Sequence, residues 1–332
     1  MSRPTLRDVA TAAGVSVTQA STALNGTGRV APQTVARVRE AADELGYRPD
    51  AFARGLRKGS GNALGLVVRN LSNSYFLDVV RGMDDVCSEA DCSLLIMDSD
   101  YDYAREHQAV QRMVNYRVLG LAIAPIGGSH AVDWWREHSS GHPVVLINTE
   151  PSPGLVCVGP DGPMAVRQAL EEFHVNGHRR VAFVGAPSKM QADVDRRAAF
   201  FEAASGFGME GVSLETSLSF DGTYTTILRE LERPDGCRAF LMNSDYTASA
   251  VYAATAETRL RIGRDVSVVG HDGIPTSALF DPPLTTILFD RREVGRRVAR
   301  AMLALAAGEQ VESVLLPTTL KRGGSVAGQT RG

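Results

Sequence analysis

From Thr5 to Gly46 the apolar residues recur three and four positions apart, the spacing of one face of an α-helix. Leu6, Val9, Ala10 and Ala13 form one such face. Ala20, Ala23 and Leu24 form a second, and Val35, Val38, Ala42 and Leu45 a third. The polar residues between them supply the boundaries. Thr5 with Asp8 and Ser16 with Gln19 have capping-box spacing. Gly14 can take the left-handed conformation of a tight turn, Asn25-Gly26 ends the second helix, and Pro32 suits the start of the third. With Ala20, Ala23 and Leu24 turned inward, Val17, Thr18, Ser21 and Thr22 face outward. Two short helices about a glycine turn, the second carrying small and polar residues outside, form a helix-turn-helix pattern, whose second helix lies in the DNA major groove.

Residues 49–61, PDAFARGLRKGSG, break the pattern. They are short, basic and glycine-rich, and Gly55 costs a helix about 1 kcal/mol relative to alanine. This segment reads as a linker that orders when it docks. From Leu64 onward apolar runs such as ALGLVV, SLLIMD, LGLAIAP and PVVLIN alternate with amphipathic helices. The rhythm repeats through RVAFVG, a strand near Leu218, AFLMN and VSVVG. Strands apolar throughout, between helices, indicate parallel sheets covered on both faces. Two such runs part near Pro151–Pro163 and predict two doubly wound lobes. In such sheets ligands bind beyond the carboxyl ends of the strands. That selects Asn70, Asn73, Asn148, Ser188, Gln191, Asp245 and His271-Asp272.

Composition adds polarity to this picture. The 332 residues carry a formal charge of -3, unevenly spread: residues 1–60 hold nine Lys/Arg against five Asp/Glu (+4), and the remainder 26 against 33 (-7). A basic head on an acidic body suits a local nucleic-acid contact. Cys87, Cys92, Cys157 and Cys237 match no zinc spacing and read as free thiols. The first residues show no export signal, and no window reaches membrane-span length. The expected location is therefore the cytoplasm.

Several motifs dissolve on inspection. Gly206 to Gly211 is a literal GxGxxG, but it follows a helix and precedes an extended stretch, the reverse of a dinucleotide fingerprint. His138 and His142 are separated by a helix-breaking Gly141. No Walker, nucleophile-elbow or zincin motif occurs, and no arrangement converts into a reaction. Neither enzyme activity nor a cofactor nor a metal is expected.

The opening stretch TLRDVATAAGVSVTQASTALN, then GYRPDAFARGLRKG, LGLVVRNLSNSYF, NGHRRVAFVG, DVSVVGHDGIP and PPLTTI together resemble the lactose-repressor (LacI/GalR) family of bacterial transcription regulators. The resemblance covers essentially the whole chain. It implies an all-α helix-turn-helix headpiece (1–48), a hinge helix (49–61) and an α/β two-lobed, periplasmic-binding-protein-like body. The N-terminal lobe would take residues 62–162 and 291–321, the C-terminal lobe residues 163–290 and 322–332.

The function implied is a repressor that binds a pseudo-palindromic operator as a homodimer, controlled by a small effector in the cleft between the lobes, a sugar, with a nucleoside as the alternative that the same groups would suit. In the second helix Val17 and Thr18 match base-choosing positions. Gln19 replaces the more usual threonine, and Thr22 stands where many members carry arginine, so a bidentate guanine contact is lost. Thr5, Ser16, Ser21, Asn25, Arg29 and Thr34 match phosphate-holding positions, and Arg54 lies beside Leu56, which matches the family's minor-groove wedge. For the effector the resemblance selects Arg197, in Arg197-Ala198-Ala199-Phe200-Phe201 where the motif reads arginine-leucine-any-glycine-aromatic. It also selects Asp272, Asn148 and Asp245 at strand ends, Asn73 beside them, and Tyr75, Phe76 and Phe220 as cleft walls. The rival reading is a free sugar-binding protein of the transport type, which shares the body but not the basic head.

Overall fold

The computed structural model describes residues 4–26, 28–48, 62–127, 130–149, 151–187 and 193–328. The hinge segment with Arg54 and Leu56 lies outside the described residues, as do Ser188 and Gln191. The chain divides into two compact units, Met1–Asn62 and Ala63–Gly332.

In the first unit the predicted helices are α1 (Leu6–Ala12), α2 (Val17–Asn25) and α3 (Pro32–Glu44). Both capping boxes form. Asp8 N donates to Thr5 Oγ1 while Thr5 N donates to Asp8 Oδ2 at 2.7 Å. Gln19 N donates to Ser16 Oγ at 3.1 Å while Ser16 N donates to Gln19 Oε1 at 3.2 Å. Two orphan donors are thereby satisfied at each helix start. Gly14 takes φ 62°, the left-handed turn that separates the helices. Val9, Ala10, Ala13, Ala20, Ala23, Val38, Ala41 and Ala42 form the core. Leu45, predicted to face inward, is a C-cap residue and is exposed; Ala41 takes the buried place. The core is largely alanine, so the helices pack closely on a small apolar area.

The second unit holds two sheets. In chain order the first run comprises β1 (Ala63–Val68), α4 (Tyr75–Glu89), β2 (Ser93–Asp98), α5 (Tyr103–Asn115), β3 (Gly120–Ile123), α6 (His130–His138), β4 (Val144–Ile147) and β5 (Val156–Pro160). The second comprises α7 (Gly162–Val175), β6 (Arg180–Gly185), α8 (Val194–Gly206), β7 (Glu210–Glu215), α9 (Phe220–Glu232), β8 (Ala239–Met242), α10 (Asp245–Ala256), β9 (Ser267–His271) and β10 (Thr285–Leu288). Then follow α11 (Arg291–Ala306), β11 (Val314–Leu316) and β12 (Thr319–Lys321). The strand orders are β11-β5-β4-β3-β1-β2 and β12-β10-β9-β8-β6-β7. All pairings are parallel except β10 with β12. The strand expected near Leu218 lies earlier, at Glu210–Glu215; Leu218 is a buried turn residue at φ 61°.

α11 returns to the first lobe, packing on α4 and on β3, β4 and β5. Gly82 of α4 and Gly295 of α11 let the two backbones touch: a Cβ on Gly82 would strike the Arg292 carbonyl, and one on Gly295 the Val79 carbonyl. The expected first-lobe segment 291–321 is too long by its last strand. Thr319–Lys321 pairs antiparallel with β10, in the register Thr286 to Lys321, and so belongs to the second sheet. Pro317 supplies the break, since it has no N–H to continue the ladder after Leu316. Among the described residues, chain passes between the sheets after β5, after β10 and after β11.

Candidate functional site: a reading helix and an interlobe cleft

The reading surface is α2. Val17, Thr18, Gln19 and Asn25 are exposed, as are Thr5 and Ser16 at the caps and Arg29 beyond the helix. Ser21, Thr22 and Thr34 are half-buried, so the outward face is narrower than the periodicity suggests. Local hydrogen bonds decide what each can offer. Thr22 Oγ1 donates to Thr18 O at 2.8 Å, which leaves its hydroxyl as an acceptor beside a methyl group. Gln19 Oε1 is held in the cap, which leaves its amide N–H groups as the free end. Asn25 Nδ2 donates to Ser21 Oγ at 3.2 Å.

In the body, the carboxyl ends of the strands of both sheets meet in a cleft. The first lobe contributes Arg69 and Asn73 after β1, Tyr75 and Phe76 at the start of α4, Tyr101 after β2 and Asn148 after β4. The second contributes Arg196 on α8, Asn243 after β8, and His271 and Asp272 at the end of β9.

These groups are tied to one another. Tyr75 N donates to Asn73 Oδ1 at 3.0 Å, which fixes that amide so that Nδ2 points across the cleft and donates to Asp272 Oδ2 at 3.3 Å. Tyr75 OH donates to Asn148 Oδ1 at 2.8 Å, and burial pushes the phenol's pKa far up, so it stays a donor. Tyr75 meets Phe76 edge-on at 4.9 Å between ring centroids. Arg69 is buried and donates to the carbonyls of Pro125 at 3.1 Å and Asn148 at 3.3 Å. Tyr101 packs against Ala186 and Leu218 of the other lobe, and burial raises its pKa. Arg291, at the head of α11, donates to Asp78 Oδ2 at 2.8 Å in the first lobe and to the carbonyl of Asp272 at 2.7 Å in the second. Asp272 (φ 107°) and Asn148 (φ 54°) both hold positive φ, which Asn and Asp tolerate better than most residues.

Of the residues expected to line the cleft, Asn73, Tyr75, Phe76, Asn148, His271 and Asp272 do so, and Asn70, Arg197, Phe220 and Asp245 do not. The arginine is displaced by one position. Arg196 faces the cleft, donating from Nη1 to Asn243 O at 2.9 Å and from Nη2 to Asp193 Oδ1. Arg197 turns back along the lobe, bonding Ala186 O with its guanidinium over the Phe183 ring. Read from Arg196, the motif keeps its aromatic at fully buried Phe200 but still departs from the pattern, with Arg197 in the leucine position and Ala199 in the glycine position. Burial alone would raise the pKa of Asp193. The charge of Arg196 and the Ala186 N–H, donating at 2.7 Å, instead hold it below the usual carboxylate value.

Asp245 is fully buried behind the strand ends. It accepts from Ile274 N at 2.9 Å and Thr286 Oγ1 at 2.5 Å, so it pins the turn that carries Asp272. Gly270 makes this possible, because a Cβ there would occupy the place of the Asp245 carboxylate. Burial, then the negative charge of Asp272, raises the Asp245 pKa well above its ordinary value. Phe220 begins α9 outside the cleft, stacked at 6.4 Å on Tyr224. The expectations missed Arg69, Tyr101, Arg196 and Asn243. Arg69 and Asn243 directly follow apolar strand runs, a signal already used for Asn148.

Among the described residues no group of three His, Cys, Asp or Glu is placed to hold a metal, and no helix is long and apolar enough to cross a membrane. Cys87, Cys92, Cys157 and Cys237 form no disulfide with one another.

A helix-turn-helix unit on the same chain as two lobes closed over a polar cleft defines a ligand-controlled, DNA-binding regulator. The family model for bacterial regulatory proteins, lacI family, matches residues 5–50, and that for a periplasmic binding protein-like domain matches residues 170–326. The HTH-type transcriptional regulator GntR of Pseudomonas aeruginosa is 29% identical over 321 residues, spanning 95% of this chain and 92% of that protein. The ribose operon repressor of Escherichia coli K12 is 25% identical over 295 residues, spanning 88% and 89%. A solved Lac repressor dimer bound to operator and the anti-inducer ONPF shares the fold, with a TM-score of 0.85 at 24% identity over 98% of this chain and 100% of that one. Residues 5–50 are a lacI-family DNA-binding domain, and the chain is a DNA-binding transcriptional regulator, not an enzyme. The match over residues 5–50 also removes the reading as a free sugar-binding protein.

Proposed function

We propose that this regulator is a cytoplasmic repressor that binds a pseudo-palindromic operator as a homodimer and is switched by a sugar in the cleft. The observation that carries the reading is the polar ring of Asn73, Asn148, Asn243, Arg196 and Asp272 around the Tyr75–Phe76 wall. A buried polyol needs a donor or acceptor for each hydroxyl and an apolar face for its ring. The name of the similar ribose operon repressor supports both the sugar and the repressor role.

In this reading α2 enters the major groove. Val17, Thr18, Gln19 and Thr22 meet base edges, and Thr5, Ser16, Ser21, Asn25, Arg29 and Thr34 hold phosphates that set register. Arg54 and Leu56 grip the operator centre, Leu56 as a wedge in the minor groove. Effector binding changes the relative pose of the lobes, β1 follows directly on the hinge segment, and the hinge orders or melts with that pose. DNA and effector are then coupled reciprocally through one two-state element.

The test is a gel-shift of the full-length protein on the DNA upstream of its own and neighbouring genes, at moderate salt. Sequence-preferring binding is expected, with Leu56→Ala weakening it far more than non-specific binding. Equal affinity for specific and random DNA would contradict the reading. In parallel, a thermal-shift screen of sugars against the full chain should give a hit, whereas a response to nucleosides alone would replace the sugar by that class.

A further inference from the structure

His271 is the buried group in the cleft that the account so far leaves unused. Its Nδ1 lies 3.0 Å from Asp272 Oδ1. A carboxylate can only accept, so Nδ1 carries the proton and Nε2 is a bare lone pair. That Nε2 is buried without a hydrogen-bond partner among the described residues. The ring lines the cleft, stands 5.5 Å from the Phe289 ring, and lies within electrostatic reach of Arg196 and Asp193. Burial lowers the imidazole pKa, which keeps the ring neutral at neutral pH. A buried polar atom left unpaired is destabilising, and a matching ligand group recovers that cost.

We infer that His271 is a specificity-determining residue whose bare Nε2 accepts a hydrogen bond from an O–H or N–H donor of the effector. The inference rests on the cleft being the effector site. It states which chemistry the ligand must present there: a hydroxyl or amine hydrogen, not an ether, a carbonyl or a deprotonated oxygen. It also places that contact in a chain of bonds. Ligand donor, His271, Asp272 and Asn73 follow one another, so the group that reads the effector touches the carboxylate that joins the lobes.

Two measurements on the full-length protein test it. In the first, histidine-15N NMR, assigned with His271→Gln, reads the tautomer: a neutral ring with its proton on Nδ1 is expected. A proton on Nε2, or a charged ring at neutral pH, overturns the inference whatever the ligand. In the second, affinities of D-ribose, D-glucose, D-galactose, adenosine and guanosine are measured for wild type, His271→Phe and His271→Gln. Compounds that bind wild type should lose about tenfold in His271→Phe, which keeps a ring without an acceptor. They should largely recover in His271→Gln, whose Oε1 can accept. Unchanged affinity in His271→Phe overturns the inference while leaving the effector site intact. If Arg196→Ala also leaves the binding of every compound unchanged, the cleft reading itself fails.

Discussion

Asn73 Nδ2 donates to Asp272 Oδ2 at 3.3 Å across the cleft, joining residues 199 apart in sequence that follow strands of different sheets. The Tyr75 N–H holds the Asn73 oxygen, so the amide cannot turn away without losing a bond. Arg291 ties the Asp272 carbonyl to Asp78 beside it. One residue at the end of β9 is thus fastened to the first lobe by its side chain and its backbone. Asp272→Ala removes the acceptor for both Asn73 and His271. The expected outcome is a larger radius of gyration in solution scattering and loss of effector binding, with the headpiece still folded. An unchanged radius would mean that Arg291 and Tyr101 hold the lobes alone.

Arg196 and Arg197 are adjacent but do different work. Arg196→Ala should weaken effector binding by about 10- to 150-fold, the range for a charge-assisted hydrogen bond. Arg197→Ala should change it far less. Titration calorimetry of the two variants decides the motif register: equal losses would return the arginine role to position 197.

That one-position slip shows where sequence reading stopped. The alternation of strands, the two capping boxes and the glycine turn are local, so periodicity and spacing sufficed to find them. The cleft depends on which way a side chain leaves its helix, and neighbours on α8 point about 100° apart. Asp245 was misplaced for a similar reason. Its carboxylate lies behind the strand ends because Gly270, far along the chain, leaves room for it. Antiparallel β12 was hidden by its length of three residues, with Pro317 the sole sign of the break.

The α4–α11 contact is intolerant of volume. Gly82→Ala puts a methyl against the Arg292 carbonyl and should destabilise the body by about 1–3 kcal/mol or more, since overpacking forces backbone shifts. Denaturant unfolding of the variant reads this directly. A midpoint equal to that of wild type would mean that the helices part without cost.

Glu106 gives a pH signature. It is buried, accepts from Ile126 N at 2.8 Å, and burial raises its pKa to about 7. The folded state therefore holds the proton more tightly than the unfolded chain. The stabilisation is full below the unfolded value near 4.5 and is lost as pH rises towards 7. The slope in that window is at most about 1.4 kcal/mol per pH unit. Glu106→Gln keeps the acceptor without the titration, so the difference in melting temperature between wild type and variant should widen in favour of Gln from pH 4.5 to 7. A constant difference would refute the shift.

Ser16→Ala removes one half of the capping box of α2 and should cost about 1 kcal/mol of headpiece stability. Because Ser16 also stands at the proposed phosphate contact, operator binding should weaken at every sequence alike. Relaxed base preference without weaker binding would assign Ser16 to base reading instead.

The central claim is that the occupied cleft sets DNA affinity. It is tested most directly by fluorescence anisotropy of the full-length protein on its operator, with and without a sugar that raises its melting temperature. The wild-type affinity should change by about 5- to 150-fold, the usual range of allosteric coupling, and hardly at all in Arg196→Ala. An operator affinity that stays the same while the wild-type cleft is saturated would contradict the account.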